Sequence, residues 1–304
     1  MKPTSYIWKN NDFIDWQDAT THVLTHALHY GTGVFEGIRA YETPTGAAIF
    51  RAKEHYDRLL DSALIYNMTP PYQTDELIHA TTSLLNKNEL KGCYIRPLFY
   101  YGYGAMGLNP KGNPIDTVIA AWEWGTYLGE AGLTDGIRCK VSSWARLDSR
   151  ILPPLAKCTA NYANSALAKQ EAISCGYDEA ILLNVNGLIA EGPGENLFVI
   201  KDDVIYTTPP SDGALKGITA NSAIQIATDL GYTVQFKSMI RDELFTADEL
   251  FFTGTAAEIT PIREIDNRVI KSNGRGPITK QIQDSFFKIV KGHDAKYSHW
   301  LTSI

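Results

Sequence analysis

The chain has 304 residues, enough for two domains with sizeable cores. Its apolar content of 44% and charged content of 20% are those of an ordinary globular protein. The formal net charge of −6 argues against a general nucleic-acid binder, because a phosphate backbone needs a basic partner surface, but it allows a local basic pocket for a small anion.

Cysteine spacing and the N-terminal sequence indicate a cellular location. The 4 cysteines form no C-x-x-C pair, so they predict neither a disulfide framework nor a zinc site. The opening MKPTSYIWKNNDFIDW lacks the apolar stretch of a signal peptide. No run approaches the roughly 18 apolar residues of a membrane helix. We therefore expect a reducing compartment, with the cytoplasm as the default, and no membrane partner.

The first part of the chain combines strand and helix patterns. YIW and FIDW flank KNND and predict a hairpin. HVLTHALHYG predicts a short helix that ends near Gly31. Strands are then predicted for GVFEGIRAYET and AAIFRA, helices for KEHYDRLLDSALIY and TDELIHATTSLLNKN, and strands for CYIRPLFYYG and DTVIAAWEW.

The segment GTYLGEAGLTDG, Gly125 to Gly136, is rich in glycine and is the best linker candidate. We expect a small N-terminal domain over residues 1–125, an interdomain loop over 126–136 and a larger domain over 137–304. The later patterns are strands in GIRCKVSSWAR and EAILLNVNG, helices in NYANSALAKQEAISCG, TANSAIQIATDLGY and ITKQIQDSFFKIVKG, a hairpin in LFVIKDDVIYTTP, and a strand, turn and strand in ELFFTGTAAEITPI. The order does not alternate strictly, so we expect an α/β or α+β protein.

Lys157 lies in an apolar stretch, LPPLAKCTANY, and no further charge follows until Lys169. A lysine is a nucleophile only when deprotonated, and a free pKa of about 10.4 prevents this at neutral pH. Burial or a nearby cation lowers that pKa. The setting allows a Schiff-base lysine, but the local sequence by itself favours an ordinary lysine beside the helix NYANSALAKQEA.

Three further segments combine turn-forming residues with polar groups. EGPGEN, from Glu191 to Asn196, places a carboxylate beside glycines that allow a close backbone approach, or is a polar hairpin loop. LKGITAN starts a predicted helix at which Thr219 is either a plain N-cap or part of a phosphate site. TGTAAE, from Thr253 to Glu258, offers amides and a hydroxyl to an anion, or is a tight turn.

Two arginines and three histidines are also candidates. Arg58 lies on a predicted helix and is either solvent-facing or a ligand for an anion. Arg96 lies in an otherwise apolar strand, YIRPLFYY, where a guanidinium needs an anionic partner. His22, His26 and His29 would share one face if their segment were a continuous helix, which leaves a metal site as a remote alternative.

The order of these segments is more specific than any one of them. HYGTGVFEGIRAYE, YIRPL, MGLNP, AEGPGENLF, LKGIT and FTGTAAEITPI together resemble the fold type IV pyridoxal-phosphate enzymes, most closely the branched-chain amino acid aminotransferases, over almost the whole chain. The resemblance implies a two-domain fold, with a small N-terminal α/β domain and a larger C-terminal domain that binds the cofactor and contains a pseudo-barrel of strands.

The resemblance also implies residue roles. Lys157 would hold pyridoxal 5'-phosphate as a Schiff base and shuttle the substrate proton, and Glu191 would pair with the ring nitrogen. The other cofactor contacts implied are Tyr162 to the ring hydroxyl oxygen, Leu215 on a ring face, and Arg58, the amides of Ile218 and Thr219, and Thr255 to the phosphate. No metal is implied.

On the substrate side, the resemblance places Phe35, Tyr94 and Tyr127 in the pocket wall. The α-carboxylate would be bound by Tyr94 and the Thr255–Ala256 turn, and the distal carboxylate of glutamate or 2-oxoglutarate by Arg96. Family members are homodimers or larger, with Tyr30 and Leu108 reaching the neighbouring active site.

The activity implied is transamination of L-leucine, L-isoleucine and L-valine with 2-oxoglutarate, by a ping-pong mechanism through pyridoxal and pyridoxamine phosphate. A D-amino acid transaminase and an aminodeoxychorismate lyase of the same fold remain alternatives. Lys216 stands where many relatives have proline, and FYYGYGAMGL carries three tyrosines, so the breadth of substrates stays open.

Overall fold

Two units, each with its own β-sheet, make up the computed structural model, which describes residues 2–125 and 127–304. The first unit comprises Met1–Trp124, Ala156–Ala160 and Ile289–Ile304, and the second comprises Gly125–Leu155 and Asn161–Lys288. The division expected from the sequence differs in placing residues 156–160 and 289–304 in the second domain. Its linker begins at Thr126, which lies outside the described residues.

The strands, in chain order, are β1 Tyr6–Lys9, β2 Asp12–Asp15, β3 Gly33–Phe35, β4 Ile38–Thr43, β5 Gly46–Phe50, β6 Cys93–Tyr101, β7 Ile115–Trp122, β8 Ile137–Val141, β9 Glu179–Leu183, β10 Ile189–Glu191, β11 Asn196–Lys201, β12 Val204–Thr207, β13 Thr233–Phe236, β14 Glu249–Gly254, β15 Glu258–Ile265, β16 Arg268–Val269 and β17 Leu301–Ser303. The helices are α1 His26–Tyr30, α2 Ala52–Ile65, α3 Thr74–Lys87, α4 Glu130–Asp135, α5 Asn161–Ser174, α6 Ile218–Asp229, α7 Arg241–Phe245 and α8 Pro277–Val290. Short 3-10 helices cover Trp16–Asp18, Pro210–Asp212 and Ala295–Trp300.

The sheet of the first unit is antiparallel, in the order β17-β5-β4-β6-β7-β1-β2, with β3 also paired to β6. Its central strand β6 is largely apolar, as expected of a strand covered on both faces. Apolar side chains of α2 and α3 join those of the sheet in one core, in which Tyr56, Leu59, Leu84 and Phe99 are fully buried. The core therefore fixes both β6 and the inner face of α2.

The short segment Ala156–Ala160 is packed into the first unit by β-type contacts with β3. Val34 and Cys158 form an isolated antiparallel bridge, and the amide of Thr159 donates to the Gly33 carbonyl at 2.9 Å. Cys158 is fully buried within the core of this unit. The residue before it, Lys157, is thus attached to a rigid strand rather than to a surface loop.

The sheet of the second unit is mixed, in the order β10-β9-β8-β15-β14-β11-β12-β13, with β16 paired to β15. Its buried core contains Leu197, Leu250, Phe252 and Ile262. Small residues of α5 pack on β9, while α6 connects β12 to its parallel neighbour β13. This β-α-β connection places the N-terminus of α6 after the end of β12.

The longer predicted elements are confirmed, and the differences lie in short ones. The predicted helix HVLTHALHYG ends at Gly31 as expected, but it begins only at His26. The glycine-rich segment contains a helix, Glu130–Asp135, in which Gly132 is the single glycine and the other residues can form a helical turn. Within the described residues, no helix is long and apolar enough to cross a membrane.

Candidate active site

Lys157 is half-buried in the first unit, between the buried residues Ala156 and Cys158. Its carbonyl accepts a hydrogen bond from the Phe35 amide at 2.9 Å, and its amide donates to Ser62 Oγ at 3.0 Å. The Nζ atom lies 5.2 Å from the centroid of the Phe35 ring. The lysine backbone is therefore fixed from two sides, and its amine lies near the Phe35 ring.

Arg58, on α2, is held by a buried carboxylate. Its Nε donates to Glu36 Oε1 at 2.7 Å and its second terminal nitrogen donates to Glu36 Oε2 at 2.9 Å. His55, one turn earlier on α2, shares Glu36 Oε2 through Nδ1 at 2.7 Å. Glu36 and His55 are at most 1% exposed. The guanidinium plane of Arg58 is thus fixed, a requirement for binding a phosphate in a defined orientation.

Opposing effects act on the pKa values of this group. Burial alone would raise the pKa of Glu36, but the charges and hydrogen bonds of Arg58 and His55 hold it well below its usual range. Burial, with the positive charges of Arg58 and Lys157, lowers the pKa of His55 below its usual value although Glu36 acts to raise it. At neutral pH, Glu36 is therefore ionised and His55 is neutral, with its Nδ1 proton directed at Glu36. Neither residue was selected as a site residue from the sequence, although Glu36 lies in the GVFEG segment of the family motif.

Arg96, on β6, faces aromatic side chains. Its guanidinium carbon lies 4.8 Å from the ring centroid of Phe35 and 5.5 Å from that of Tyr94. Its Nε is buried and has no hydrogen-bond partner among the described residues. A buried guanidinium N–H without an acceptor is costly, so this position is suited to an anionic ligand.

Tyr94 belongs to a cluster of aromatic rings at the end of β7. Its ring centroid lies 5.3 Å from that of Trp122 and 5.1 Å from that of Trp124. Neither tryptophan was selected as a site residue from the sequence. The WEW pattern at the end of a strand was the available signal, because large aromatic rings at a strand end are common in pocket walls.

Tyr30 and Leu108 lie on the surface of the first unit. Leu108 is 83% exposed and Tyr30, at the end of α1, is 39% exposed. His26, buried beneath them, donates from Nε2 to the Gly107 carbonyl at 2.6 Å and bonds to Thr32 Oγ1 through Nδ1 at 2.8 Å. This imidazole fixes the loop that carries Leu108.

The three histidines considered as metal ligands bond to other groups of the protein. His29 Nε2 donates to the Val23 carbonyl at 2.8 Å, and His22 Nδ1 accepts from the Leu24 amide at 3.1 Å. His22 also lies outside α1, so the three do not share a helix face. The described part of the chain contains no cluster of three or more side chains able to hold a metal ion.

In the second unit, Glu191 at the end of β10 has two strong partners. Its Oε1 lies 2.7 Å from a terminal nitrogen of Arg146, and its Oε2 accepts from the Leu215 amide at 2.9 Å. Both charged side chains are almost fully buried. The pairing favours the ionised carboxylate and attaches the Leu215 backbone to it. Arg146 was not identified from the sequence, since nothing local to SSWAR shows its partner.

Glu195 follows in the same loop and differs from Glu191 in its ionisation. Burial raises the pKa of Glu195 to about 8, and the negative charges of Glu179 and Glu191 add to the effect. Its Oε2 accepts from the Gly194 amide at 2.9 Å. Glu195 is therefore largely protonated at neutral pH, and the loop carries one buried negative charge at Glu191 rather than two.

The N-terminus of α6 begins at Gly217, whose side-chain-free backbone packs closely on Asn196. A Cβ built at Gly217 would lie 1.9 Å from Asn196 Oδ1, so any larger residue requires the Asn196 side chain or the helix start to shift. No side chain caps this helix of 12 residues in the described structure. Ile218 and Thr219 in its first turn are buried. An uncapped helix start with a glycine at the N-cap has the geometry of an anion site.

The remaining predicted residues of the second unit lie on separate elements. Thr255 and Ala256 are half-buried in the turn between β14 and β15, next to Thr253, whose buried Oγ1 has no hydrogen-bond partner in the described part of the chain. Tyr162 lies in the first turn of α5, and the Tyr127 ring is 5.3 Å from Lys169 Nζ.

Each unit thus brings together part of the predicted set. In the first unit, Phe35 lies near both Lys157 and Arg96, and Arg96 also lies near Tyr94. Glu36, the next residue after Phe35, binds Arg58. The second unit joins Glu191 to Leu215, two residues before the N-cap of α6.

Comparison with known proteins gives matches along the chain. The model of the class IV amino-transferase family matches residues 33–265. The branched-chain-amino-acid aminotransferase of Pseudomonas aeruginosa strain PAO1 is 50% identical over 298 residues, 98% of this chain and 97% of that protein.

Solved structures of related proteins also match this chain over almost its whole length. The crystal structure of the Escherichia coli branched-chain amino acid aminotransferase superposes with a TM-score of 0.97 at 46% identity and covers 99% of both chains. The T.th. branched-chain amino acid aminotransferase complexed with N-(5'-phosphopyridoxyl)-L-glutamate has a TM-score of 0.94 at 46% identity, covering 100% of this chain and 99% of that one. These matches confirm the predicted mixed α/β fold. The chain belongs to the class IV aminotransferases and, within them, to the branched-chain-amino-acid aminotransferases.

Proposed function

We propose that this enzyme transfers the amino group of L-leucine, L-isoleucine or L-valine to 2-oxoglutarate, in two half-reactions that use pyridoxal 5'-phosphate. One substrate has an apolar branch where the other has a carboxylate, so the same pocket must accept both.

The observation that carries this proposal is the setting of Arg96. A guanidinium whose Nε is buried without a hydrogen-bond acceptor among the described residues lies against the rings of Phe35 and Tyr94. An apolar branch can pack on the aromatic rings, and a distal carboxylate can accept from Arg96. The relative crystallised with a phosphopyridoxyl-glutamate supports a glutamate-type substrate in this family.

The residues present fit the cofactor by their donor chemistry. Lys157 offers an amine for the aldehyde, and the buried, ionised Glu191 offers an acceptor for a protonated ring nitrogen. The uncapped start of α6 and the oriented guanidinium of Arg58 are phosphate donors. When bound, pyridoxal phosphate supplies an aldehyde that takes the amino group from one substrate and returns it to the next.

Each side chain then has a defined task in the proposal. Lys157 Nζ holds the cofactor and moves the proton at the substrate Cα. Glu191 stabilises positive charge at the ring nitrogen, with Arg146 keeping it ionised. The other proposed cofactor contacts are Tyr162 to the ring hydroxyl oxygen, Leu215 on the ring face, and Arg58, the amides of Ile218 and Thr219, and Thr255 to the phosphate.

The substrate groups are assigned in the same way. We assign the α-carboxylate to Tyr94 and the Thr255–Ala256 turn, and the pocket wall to Phe35 and Tyr127. The Thr253 hydroxyl beside this turn is buried without a partner in the described structure, which supports a ligand at the turn.

A homodimer or larger assembly is part of the proposal, with Tyr30 and Leu108 reaching the neighbouring active site. Leu108, Val23 and Leu28 are 83%, 74% and 63% exposed in one unit. Large exposed apolar residues of this kind support an interface between subunits. The cytoplasmic location also stays a prediction, based on the cysteine pattern.

A spectral titration of the purified enzyme tests the proposal. L-leucine and L-glutamate should each change the absorption spectrum of the bound cofactor, and 2-oxoglutarate should restore the original spectrum. Conversion by D-alanine but not L-leucine would instead indicate a D-amino acid transaminase, and pyruvate release from aminodeoxychorismate would indicate the lyase.

Lys157→Ala tests the role of the lysine, with Lys53→Ala as the control because Lys53 is an exposed lysine of the same unit. We expect Lys157→Ala to lose transamination of L-valine and Lys53→Ala to keep it. A Lys157→Ala variant that still transferred the amino group at the rate of the control would contradict the proposal.

A further inference from the structure

Five residues of the first unit form a closed ring of contacts. The Lys157 carbonyl accepts from the Phe35 amide, and Phe35 is followed by Glu36. Glu36 binds the Arg58 guanidinium through both oxygens. The Arg58 carbonyl accepts from Ser62 Oγ at 2.8 Å, and Ser62 Oγ accepts from the Lys157 amide at 3.0 Å. The ring returns to its starting residue.

Ser62 has a defined hydrogen-bond direction within this ring. A hydroxyl has one proton, and a carbonyl can only accept, so the proton is directed at the Arg58 carbonyl. The lone pairs of Ser62 Oγ then accept from the Lys157 amide. Ser62 is fully buried, so its hydroxyl makes these bonds away from bulk solvent. The hydroxyl links the backbone of the lysine to that of the arginine.

Glu36 closes the other side of the ring. It is fully buried and adjacent in sequence to Phe35, whose amide is bonded to Lys157. The two parallel bonds to Arg58 define both the position and the plane of the guanidinium. His55 and the Gly37 amide also donate to Glu36 Oε2. Rotation of Arg58 would break at least one of these bonds.

We propose that Glu36 and Ser62 are positioning residues that hold the phosphate-binding group of Arg58 and the amine of Lys157 at a fixed separation. The inference rests on the proposed function, in which Arg58 and Lys157 bind the phosphate and the aldehyde of one cofactor molecule. The separation of these two groups of pyridoxal phosphate is limited to a narrow range, because they are attached to neighbouring carbons of one ring. A misplaced partner at either end therefore weakens binding at both.

Binding experiments on the apo enzyme test this with three ligands: pyridoxal 5'-phosphate, pyridoxal without phosphate, and inorganic phosphate. The variants are Glu36→Gln, Ser62→Ala and the double variant. The control is Thr82→Ala, which removes a half-buried hydroxyl that is bonded to the carbonyl four residues earlier on α3, as the Ser62 hydroxyl is on α2.

We expect each end of the cofactor to respond to its own variant. Glu36→Gln weakens pyridoxal phosphate and inorganic phosphate by about tenfold and leaves pyridoxal within about twofold of wild type. Ser62→Ala weakens pyridoxal phosphate and pyridoxal by about tenfold and leaves inorganic phosphate within about twofold. The ³¹P resonance of bound pyridoxal phosphate shifts in Glu36→Gln and not in Thr82→Ala.

The double variant tests whether the two ends are coupled through the cofactor. Once one end of pyridoxal phosphate is misplaced, the other end contributes less to binding, so the loss of pyridoxal phosphate affinity is smaller than the product of the two single losses. If Glu36→Gln does not fold, Glu36→Asp serves in its place with the same expectations, because the shorter side chain cannot keep both bonds to Arg58.

Three outcomes would overturn the proposal: single variants that match Thr82→Ala for all ligands, a Glu36→Gln loss that is as large for pyridoxal as for pyridoxal phosphate, or independent losses in the double variant. Lys157→Ala separates this failure from failure of the proposed function. If Lys157→Ala is inactive while Glu36→Gln and Ser62→Ala match the control, only the positioning role is wrong. If Lys157→Ala still transaminates, the proposed function itself is wrong.

Discussion

The Arg146 guanidinium lies 2.7 Å from the Glu191 carboxylate, and neither side chain is more than 6% exposed. Removing one member of a buried pair leaves an uncompensated charge, which favours the neutral carboxyl. In the proposed mechanism, a neutral Glu191 would no longer stabilise a protonated ring nitrogen. Arg146 is therefore expected to keep Glu191 ionised without contacting the substrate itself.

We expect Arg146→Met to lower kcat by about tenfold to a hundredfold with cofactor saturating, because stabilisation of charge at the ring is lost. The KM for L-leucine should change little, since Arg146 is assigned no substrate contact. Steady-state kinetics against Arg150→Met, whose arginine is 83% exposed, provide the comparison. Wild-type kcat in Arg146→Met would rule out this role.

Arg96→Met should separate the two substrate classes. The KM for L-glutamate and 2-oxoglutarate is expected to rise by about a hundredfold, because the distal carboxylate loses its charged donor in an apolar wall. The half-reaction with L-leucine serves as an internal control and should stay within about fivefold of wild type. Equal losses for L-leucine and L-glutamate would show that Arg96 does not discriminate between them.

Gly217→Ala should weaken cofactor binding through a purely steric effect. Its Cβ would meet Asn196 Oδ1 at 1.9 Å, so either the start of α6 moves or the Asn196 side chain shifts and strains its bond to the Leu215 carbonyl. We expect the Kd for pyridoxal phosphate to rise at least about tenfold, since a displaced helix start misaligns its amides. Gly92→Ala is the control, because its Cβ meets nothing closer than 4.0 Å. Equal Kd values in the two variants would argue against a phosphate site at α6.

Glu195 gives a prediction about stability and pH. Burial raises its pKa in the folded chain from an ordinary 4.5 to about 8, so between these values the folded state holds a proton that the unfolded state has released. The free energy of unfolding contributed by Glu195 therefore falls as pH rises from about 4.5 to about 8, and is constant above that range.

Glu195→Gln removes this dependence. Relative to wild type, the variant should gain stability as pH rises from 6 to 8, by about 1 kcal/mol or more. Urea unfolding at both pH values measures the change, with the exposed Glu42→Gln as control. A stability difference between Glu195→Gln and wild type that does not change with pH would contradict the assignment.

Leu108→Asp should shift the enzyme toward monomers. A carboxylate at a residue that is 83% exposed in the single chain costs little there, but is unfavourable inside an apolar interface. Sedimentation velocity measures the shift, with Val185→Asp as the control for an exposed apolar residue on a turn. Identical sedimentation of wild type and Leu108→Asp would place Leu108 outside the interface.

The sequence predicts the secondary-structure elements well where the information is local. The helices at Ala52–Ile65 and Thr74–Lys87 follow from their apolar periodicity, and the N-terminus of α6 from the pattern LKGIT. These features depend on residues only a few positions apart, so a short stretch of sequence contains all the information that is needed.

The supporting residues could not be predicted because their partners are distant in sequence. Arg146 meets Glu191, and Glu36 meets Arg58, only after the chain has folded. A buried glutamate in GVFEG looks locally like any polar residue in a strand. Glu36 binds Arg58 only once the fold has buried it, and the local sequence does not show that burial.

The path of the chain through the two units has a consequence for biosynthesis. The first unit contains residues 156–160 and its β17 strand pairs with β5, while the second unit lies between Gly125 and Lys288. During synthesis, all strands of the second sheet therefore leave the ribosome before β17, the last strand of the first sheet. The sheet of the first unit is complete only after β17 has been synthesised and has paired with β5, although most of that unit is synthesised first.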